Sequence, residues 1–330
     1  MTSFLRLSAG NTGGVKPDLA DLLDRLHVVA LPMRVRFRGI TIRELALIDG
    51  PAGWGEFGAF IEYGPLEAAH WLASAIEAAY ETSPPTKRDR IPINATVPAV
   101  APEQVPELLS RFPGARTAKV KVAEPGQTLR DDVARVDAVR ALVPTVRVDA
   151  NGGWRVDEAV AAATALGPLE YIEQPCKTIE ELAEVRRRVD VPIAADESIR
   201  KADDPLRVVR AKAADIAVLK VAPLGGTSAL LKIAEQIDIP VVISSALDSA
   251  VGIATGLRAA AALETLEHAC GLGTGRLFVE DVAQPTPPVD GYLPVGRVAP
   301  EEARLGSLAV TPERREWWIR RIICCYRLLR

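Results

Sequence analysis

Short apolar runs that each lead to a charged residue recur along the middle of the chain. Five of them read TAKVKV, VRVDANGGW, YIEQP, IAADES and VLKVAPLGG, and they lie between residues 117 and 226. Helix-like segments such as 155–166 and 178–189 separate them. The runs recur roughly every 25 residues, close to the ~30 residues that one βα unit of an α/β barrel takes. The alternation therefore predicts parallel strands joined by helices.

The same alternation can be followed from residue 93 to residue 272. It predicts a (β/α)7β barrel of the α/β class, which resembles the TIM barrel but has one helix fewer. The strands are expected at 93–100, 117–121, 145–149, 169–173, 191–196, 215–220, 239–245 and 268–272. The helices between them are expected at 102–111, 127–142, 155–166, 178–189, 204–213, 226–237 and 248–264.

The residues before the barrel predict a small α+β domain. Residues 1–17 read as a loose extension. After it we expect a short helix at 18–27, strands at 28–32, 34–37 and 40–48, a turn at PAGWGEF and an amphipathic helix at 65–82. A Pro-rich, charged break ends this domain. We expect an N-terminal domain at 1–88, a barrel at 89–284 and a C-terminal segment at 285–330 that packs back on either. The tail RREWWIRRIICCYRLLR reads as a terminal helix with partly buried Trp317 and Trp318 rather than a membrane or partner-binding helix.

Composition excludes several classes of protein. The 330 residues are 48% hydrophobic and 25% charged, which is typical of a globular protein. The net charge of −3 gives no basis for binding nucleic acid. No apolar run is long enough for a membrane span, and the N-terminus lacks the long apolar region of a signal peptide. The four cysteines form no CxxC pair. We therefore expect a protein of the reducing cytoplasm without disulfides.

Three carboxylates stand at the ends of consecutive predicted strands: Asp149, Glu173 and Asp196. The carboxyl ends of barrel strands meet at one face, where barrel active sites are built. Converging carboxylates repel one another unless a cation lies between them, and oxygen ligands of this kind favour Mg²⁺, with Mn²⁺ as the alternative. Any one of the three could simply cap the following helix. Their matched positions favour a metal site.

Lysines occupy the neighbouring strands. Lys119 and Lys121 lie two residues apart, so both side chains point to the same face, which must be the barrel interior. Lys220 ends the sixth strand, and Arg147 points inward two residues before Asp149. A buried lysine is costly unless it is functional or paired, and burial near other cations lowers its pKa. These residues indicate acid–base chemistry at the barrel mouth.

Further polar residues follow the sixth and seventh strands. The backbone amides and hydroxyls of Gly225, Gly226, Thr227, Ser244 and Ser245 could bind a substrate carboxylate, with Arg147 as a further contact. They could equally cap the helices that follow them. The glycines of GLGTG lack the spacing of a dinucleotide-binding loop and predict a close-approach turn.

With these residues in place, the sequence resembles the enolase superfamily over nearly its whole length. The matching motifs are AKVKV, VDANGGW, IEQP, ADES and LKVAPLGG, and the lysine after the sixth strand resembles the muconate-lactonizing subgroup. The resemblance implies a capping domain, a barrel, and Mg²⁺ held by Asp149, Glu173 and Asp196. It also implies that Lys121 transfers the proton next to a substrate carboxylate, that Lys119 assists, and that Lys220 lies across the substrate.

Within that subgroup, one branch resembles this chain most. The segments PMRVRFRGITIRE, ISSALDSAVG and HACGLGTG are similar to dehydratases of menaquinone biosynthesis, which act on a small cyclic carboxylate. N-succinyl or N-acylamino acid racemases, dipeptide epimerases and cycloisomerases would use the same metal and lysines. A metal-stabilised barrel with only a binding role is the third reading, which the inward lysines disfavour. We expect the loops in PMRVRFRGI and GWGEFGAF to approach the substrate.

Overall fold

The computed structural model describes residues 16–200 and 204–329. Of the extension predicted at 1–17, residues 1–15 lie outside the described residues. No helix within the described ranges is long and apolar enough to cross a membrane.

The N-terminal part is an antiparallel sheet covered by one helix. A short helix, α1 (Leu19–Asp24), precedes three strands in the order β1 (Leu26–Phe37), β2 (Ile40–Gly50) and β3 (Gly53–Phe57), and α2 (Pro65–Tyr80) packs on them. The predicted turn PAGWGEF is wrong over most of its length. The turn is confined to 51–52, because Gly53–Phe57 pairs with β2 along its whole length.

Glycine explains why α2 can lie so close to this sheet. A side chain at Gly55 would collide with the carbonyl oxygen of Ala75, and one at Gly50 with that of Ala79. Both alanines belong to α2. The two glycines of the β2–β3 hairpin are therefore required by the contact between helix and sheet.

The barrel is a parallel sheet whose strands follow chain order. After β4 (Arg90–Pro92), seven strands pair in sequence. They are β5 (Ala95–Val97), β6 (Thr117–Lys121), β7 (Thr145–Asp149), β8 (Ile172–Glu173), β9 (Ile193–Ala195), β10 (Ile216–Leu219) and β11 (Val241–Ile243). The predicted boundaries of β6 and β7 are confirmed to the residue, whereas β8 is shorter than predicted.

Residues 270 and 271 close the barrel between its first and last strands. Cys270 N–H donates to Pro92 O at 2.7 Å and Asn94 N–H donates to Cys270 O at 3.0 Å. On the other side, Gly271 N–H donates to Ile243 O at 2.8 Å. The predicted eighth strand therefore exists at the expected place, as two bridging residues. The (β/α)7β architecture is confirmed.

Helices cover the outside of the barrel, and each of the seven predicted ones has a counterpart among the described residues. Two short helices, at Glu197–Arg200 and Val221–Leu224, were not predicted. The sequence explains where several helices begin. At Thr178, for example, the side-chain hydroxyl accepts from Glu181 N–H, while the Glu181 carboxylate accepts from Thr178 N–H. The helices are a 3₁₀ turn at Pro102–Gln104, α3 (Val105–Leu109), α4 (Leu129–Arg140), α5 (Val156–Ala165), α6 (Ile179–Arg188), α7 (Glu197–Arg200), α8 (Arg207–Arg210), α9 (Val221–Leu224), α10 (Thr227–Ala234) and α11 (Ala250–Ala262).

The C-terminal segment returns to the N-terminal sheet. A 3₁₀ turn (Thr274–Leu277) precedes β12 (Tyr292–Pro294), which pairs with β4, and α12 (Glu302–Ser307) and α13 (Pro312–Tyr326) follow. Helix α13 packs against α2. Trp318 is fully buried there, with its ring edge-on to Phe57 at a centroid distance of 5.6 Å. The C-terminal helices thus share one hydrophobic core with the N-terminal domain.

Two carboxylates of the N-terminal domain attach it to the barrel. Glu77 of α2 accepts from Thr227 N–H at 2.7 Å, at the start of α10. Glu56 of β3 accepts from Ser249 N–H at 3.0 Å and Gly252 N–H at 3.1 Å, at the start of α11. Helix N-termini carry unpaired amides and partial positive charge, so each glutamate caps a barrel helix from another domain.

The core around Trp318 predicts the behaviour of two neighbouring tryptophans. We expect Trp318→Ala to lower the free energy of unfolding by about 3–5 kcal/mol, because it leaves a cavity in a close-packed core. Trp317 is half-buried on the same helix. Trp317→Ala should therefore lower the free energy of unfolding by clearly less than Trp318→Ala. Urea denaturation of both variants measures the difference. Equal losses for the two would contradict the packing described for α13.

Candidate active site

The three predicted carboxylates lie together at the carboxyl ends of adjacent strands. Asp149 ends β7 and is paired in register with Glu173, which ends β8, and Asp196 follows β9 directly. Their exposed fractions are 1%, 0% and 0%. Because neighbouring parallel strands end at the same edge of the sheet, three acidic side chains are buried in one small region.

Each of these carboxylates has a lysine partner. Lys119 Nζ lies 2.8 Å from Glu173 Oε1 and 3.4 Å from Asp149 Oδ2. Lys121 Nζ lies 2.5 Å from Asp149 Oδ2, and Lys220 Nζ lies 2.5 Å from Asp196 Oδ2. Buried charges are tolerated when they are paired in this way. The structure therefore brings all six predicted acidic and lysine residues into one cluster.

The electrostatics of the cluster differ from residue to residue. Burial and the charge of Asp149 raise the pKa of Glu173 to about 7. Burial also acts on Asp149, but Lys121 and Lys119 outweigh it and hold the pKa of that carboxyl well below its usual range. Burial lowers the pKa of Lys121; Asp149 opposes this shift and Lys119 reinforces it. Lys121 thus gives up its proton more readily than a lysine in water.

Lys119 differs from Lys121 although both lie on β6. Burial acts to lower the pKa of Lys119, but Glu173 and Asp149 outweigh burial and raise it above the ordinary value. Lys119 therefore holds its proton more firmly than Lys121, which is the better candidate for proton transfer.

The donor chemistry of the cluster fits a divalent cation. Asp149, Glu173 and Asp196 offer only oxygen ligands, which Mg²⁺ and Mn²⁺ prefer. Asp149 and Asp196 both raise the pKa of Glu173 after burial itself, so the carboxylates repel one another. In the arrangement seen here their oxygens face the lysines. Among residues 16–200 and 204–329, no three His, Cys, Asp or Glu side chains are placed so that they could hold a metal ion as they stand.

The cluster opens into a cavity between the barrel and the N-terminal domain. The β1–β2 hairpin reaches over it from that domain, so the segment PMRVRFRGI does approach the site. The loops after β11 and after the eighth strand also line it. The lining residues include Phe37, Arg38, Thr96, Lys119, Lys121, Asp149, Asn151, Lys220, Ser244, Ser245 and Thr274.

Ser244 and Ser245, which were predicted to contact the substrate, line this cavity. The Ser245 hydroxyl already bonds Gly271 O at 3.0 Å and Thr274 Oγ1 at 2.6 Å. Gly225 does not line the cavity. It ends α9 with a left-handed backbone and lies near His70. The amide that follows at Thr227 binds a carboxylate, but that carboxylate belongs to Glu77 of the same chain.

Arg147 points into the barrel, but it lies deeper than the cavity. Its guanidinium donates to Glu170 Oε2 at 2.8 Å, Tyr171 Oη at 2.8 Å and Ala269 O at 2.9 Å. It is fully buried and does not line the cavity. Two residues along a strand amount to ~6.6 Å, so Arg147 occupies the layer below Asp149. The structure does not bring it to the predicted substrate position.

Three residues with positioning contacts had no role in the sequence-based prediction. Asn151 accepts from Lys121 Nζ at 2.6 Å, and Arg200 donates to Asp196 Oδ1 at 3.0 Å and to Tyr63 Oη at 3.0 Å. Gln174 is fully buried and accepts from Asp196 N–H at 3.0 Å. Asn151 and Gln174 have positive φ angles of 46° and 40°. The Asn-Gly pair at 151–152 was the one signal available in the sequence.

Known protein families match both parts of the chain. The family described as "Enolase C-terminal domain-like" matches residues 104–302, and "Enolase N-terminal domain-like" matches residues 28–79. The two matches cover the barrel and the N-terminal sheet with its helix.

Individual relatives match almost the full length. An o-succinylbenzoate synthase from Mycobacterium marinum (strain ATCC BAA-535 / M) is 76% identical over 314 residues, which is 94% of this chain and 96% of the relative. An o-succinylbenzoate synthase from Mycobacterium tuberculosis (strain ATCC 25618 / H37Rv) is 74% identical over 318 residues, covering 96% and 98%.

Solved structures agree on the fold. Muconate lactonizing enzyme from Pseudomonas putida superposes with a TM-score of 0.70 at 20% identity and covers 86% of this chain and 98% of its own. N-succinyl Arg/Lys racemase from Bacillus cereus ATCC 14579 superposes with a TM-score of 0.73 at 19% identity, covering 87% and 97%. On the strength of the family matches and the near full-length relatives, this chain belongs to the enolase superfamily and, within it, to the o-succinylbenzoate synthase family.

Proposed function

We propose that the chain is an o-succinylbenzoate synthase, a carbon–oxygen lyase of menaquinone biosynthesis. Its substrate would be 2-succinyl-6-hydroxy-2,4-cyclohexadiene-1-carboxylate, and loss of water would give 2-succinylbenzoate. One observation carries the proposal at the site: Lys121 and Lys220 enter the same cavity, each paired with a carboxylate at a different strand end. This arrangement suits the removal of a proton next to a carboxylate.

Asp149, Glu173 and Asp196 would hold Mg²⁺, with Mn²⁺ as the alternative. When bound, the cation would place positive charge beside the substrate carboxylate and so stabilise the negative charge that develops there. The contacts of these carboxylates with Lys119, Lys121 and Lys220 would then have to change. Gln174 and Arg200 would help to keep Asp196 in place through the hydrogen bonds they already make with it.

Lys121 would perform both proton transfers. As a neutral amine it removes the proton next to the ring carboxylate, and the C–H electrons pass into the carboxylate group as an enediolate. The resulting ammonium then donates that proton to the departing hydroxyl group, so that water leaves and the ring becomes aromatic. The lysine is neutral again at the end. Lys220 would stabilise the intermediate by its positive charge from across the cavity, and Lys119 would add to that electrostatic stabilisation.

We also propose the division of the chain into a capping domain at 1–88, a barrel at 89–284 and a C-terminal segment at 285–330. In support, Trp318 of that segment is buried against Phe57 of the N-terminal domain. The capping domain would close the site against water, since Phe37 and Arg38 lie over the cavity.

The proposed setting is the cytoplasm, with a small carboxylate as substrate, no nucleic-acid partner and no membrane span. In support, Cys176, Cys270, Cys324 and Cys325 are all free thiols, which suits a reducing compartment.

The carboxylates give the first test. Asp149→Asn, Glu173→Gln and Asp196→Asn should each abolish turnover while circular dichroism stays native, because each removes one anionic oxygen ligand. Asp132 is a buried carboxylate outside the cavity, so Asp132→Asn is the matched control and should retain turnover. Turnover is followed by the ultraviolet change as the cyclohexadiene becomes aromatic. Full activity of the wild type after EDTA treatment would refute the metal site.

Lys121 gives the second test. Lys121→Ala should lose at least ~10²–10⁴-fold in kcat, the usual contribution of general acid–base catalysis, while 2-succinylbenzoate still binds. Lys121→Arg should not restore activity, because a guanidinium stays protonated. Lys119→Ala should be milder. If Lys119→Ala were inactive and Lys121→Ala near normal, the base would be Lys119.

A direct assay separates the dehydratase from a racemase with the same lysines. Purified protein with Mg²⁺ should dehydrate the cyclohexadiene substrate with a higher kcat/KM than it racemises N-succinyl amino acids, measured by polarimetry. The reverse order would assign the chain to the racemases, which the catalytic lysines alone do not exclude.

A further inference from the structure

The tip of the β1–β2 hairpin carries a residue that its backbone does not favour. Phe37 pairs with Ile40, so the turn consists of Arg38 and Gly39, and both have positive φ angles, 50° and 79°. Two positive φ angles define a type I′ turn, in which Asn-Gly, Asp-Gly and Gly-Gly are preferred. An arginine in the left-handed conformation is strained. The requirements of the turn therefore do not account for Arg38.

This tip lies over the catalytic cavity. Phe37 and Arg38 both line it, and Lys121 Nζ lies 5.4 Å from the centre of the Phe37 ring. The Arg38 guanidinium carbon lies 4.3 Å from the centre of the Phe60 ring. Phe60 is itself buried and packs edge-on against Trp71. Stacking on a fixed ring holds the guanidinium at the rim of the cavity.

Arg38 is also distinguished by its charge environment. The Arg38 guanidinium lines the cavity, and the residue is exposed and has no carboxylate partner among the described residues. The buried Arg43 guanidinium lies 4.3 Å from the centre of the same Phe60 ring, and Arg38 helps to lower the pKa of Arg43 after burial itself. An anion at Arg38 would relieve this repulsion between like charges.

We propose that Arg38 is a specificity-determining residue that binds the carboxylate at the far end of the substrate's succinyl arm. This inference rests on the proposed function, whose substrate carries two carboxylates. The ring carboxylate must lie at Lys121, where its neighbouring proton is removed, so the arm carboxylate needs a second cation. A guanidinium presents paired N–H donors that match the two oxygens of a carboxylate. The β1–β2 hairpin supplies those donors to the cavity from the N-terminal domain, whereas Lys121 enters it from barrel strand β6.

Arg38→Asn separates binding from folding, because asparagine is preferred in this turn. The variant should unfold at the same temperature as the wild type or higher. Its KM for the cyclohexadiene substrate should rise roughly 10- to 100-fold, the loss expected for a hydrogen bond to a charged group, with kcat little changed. Arg36 is exposed in the same hairpin and does not line the cavity. Arg36→Asn is therefore the matched control and should leave KM unchanged.

Equilibrium binding tests the contact without relying on turnover. Calorimetry in the presence of Mg²⁺ should show that Arg38→Asn weakens the binding of 2-succinylbenzoate by a similar factor, roughly 10- to 100-fold. The side-chain amide of this compound, 2-(4-amino-4-oxobutanoyl)benzoate, should bind wild type and variant almost equally, because it lacks the arm carboxylate. Equal losses for both compounds, or no loss for either, would overturn the role of Arg38. Wild-type protein that binds 2-succinylbenzoate but does not dehydrate the substrate would instead contradict the proposed function.

Discussion

The structure depends on burying charges of both signs at the ends of adjacent strands. Five charged side chains have almost no access to water: Asp149, Glu173, Asp196, Lys119 and Lys220. An isolated charge in such a place would cost several kcal/mol, so every member needs the others. The parallel register places the opposite charges within contact distance, because it fixes where each strand ends relative to its neighbours. Stability and chemistry are thus coupled, since any change to one charge leaves its partner uncompensated.

Charged side chains of the capping domain also attach it to the barrel, here through hydrogen bonds to backbone groups. Glu56 and Glu77 are both used to cap barrel helices, at Ser249 and at Thr227. Arg43 is fully buried as well and donates to the carbonyl oxygen of Leu247 at 3.1 Å, in the loop that follows the seventh strand. These contacts determine where the β1–β2 hairpin lies above the strand ends. The hairpin can therefore present a side chain to the substrate without being part of the barrel.

Sequence alone predicts those features that arise from one residue and its immediate neighbours. The predicted boundaries of β6 and β7 are correct, because in both strands charged and apolar residues alternate and allow only one assignment of faces. Features that depend on distant residues were missed. Gly53 and Gly55 indicated a turn, yet both lie in strand β3. At Gly55 the glycine is required by the close contact with Ala75 of α2, which lies 20 residues further along the chain. The amide of Thr227 was available to a substrate until Glu77, 150 residues away in sequence, was placed on it.

Depth within the barrel was the other quantity that sequence could not provide. Arg147 and Asp149 share a face of β7, but only the latter reaches the cavity, and Arg147 is neutralised by Glu170 in the layer below. Around the cavity, by contrast, Arg38, Asn151 and Gln174 all adopt positive φ angles although none is glycine. Such backbone strain persists only where surrounding contacts enforce it. At Arg38, where asparagine or glycine would suit the turn better, the placement of the side chain has thus taken precedence over local backbone stability.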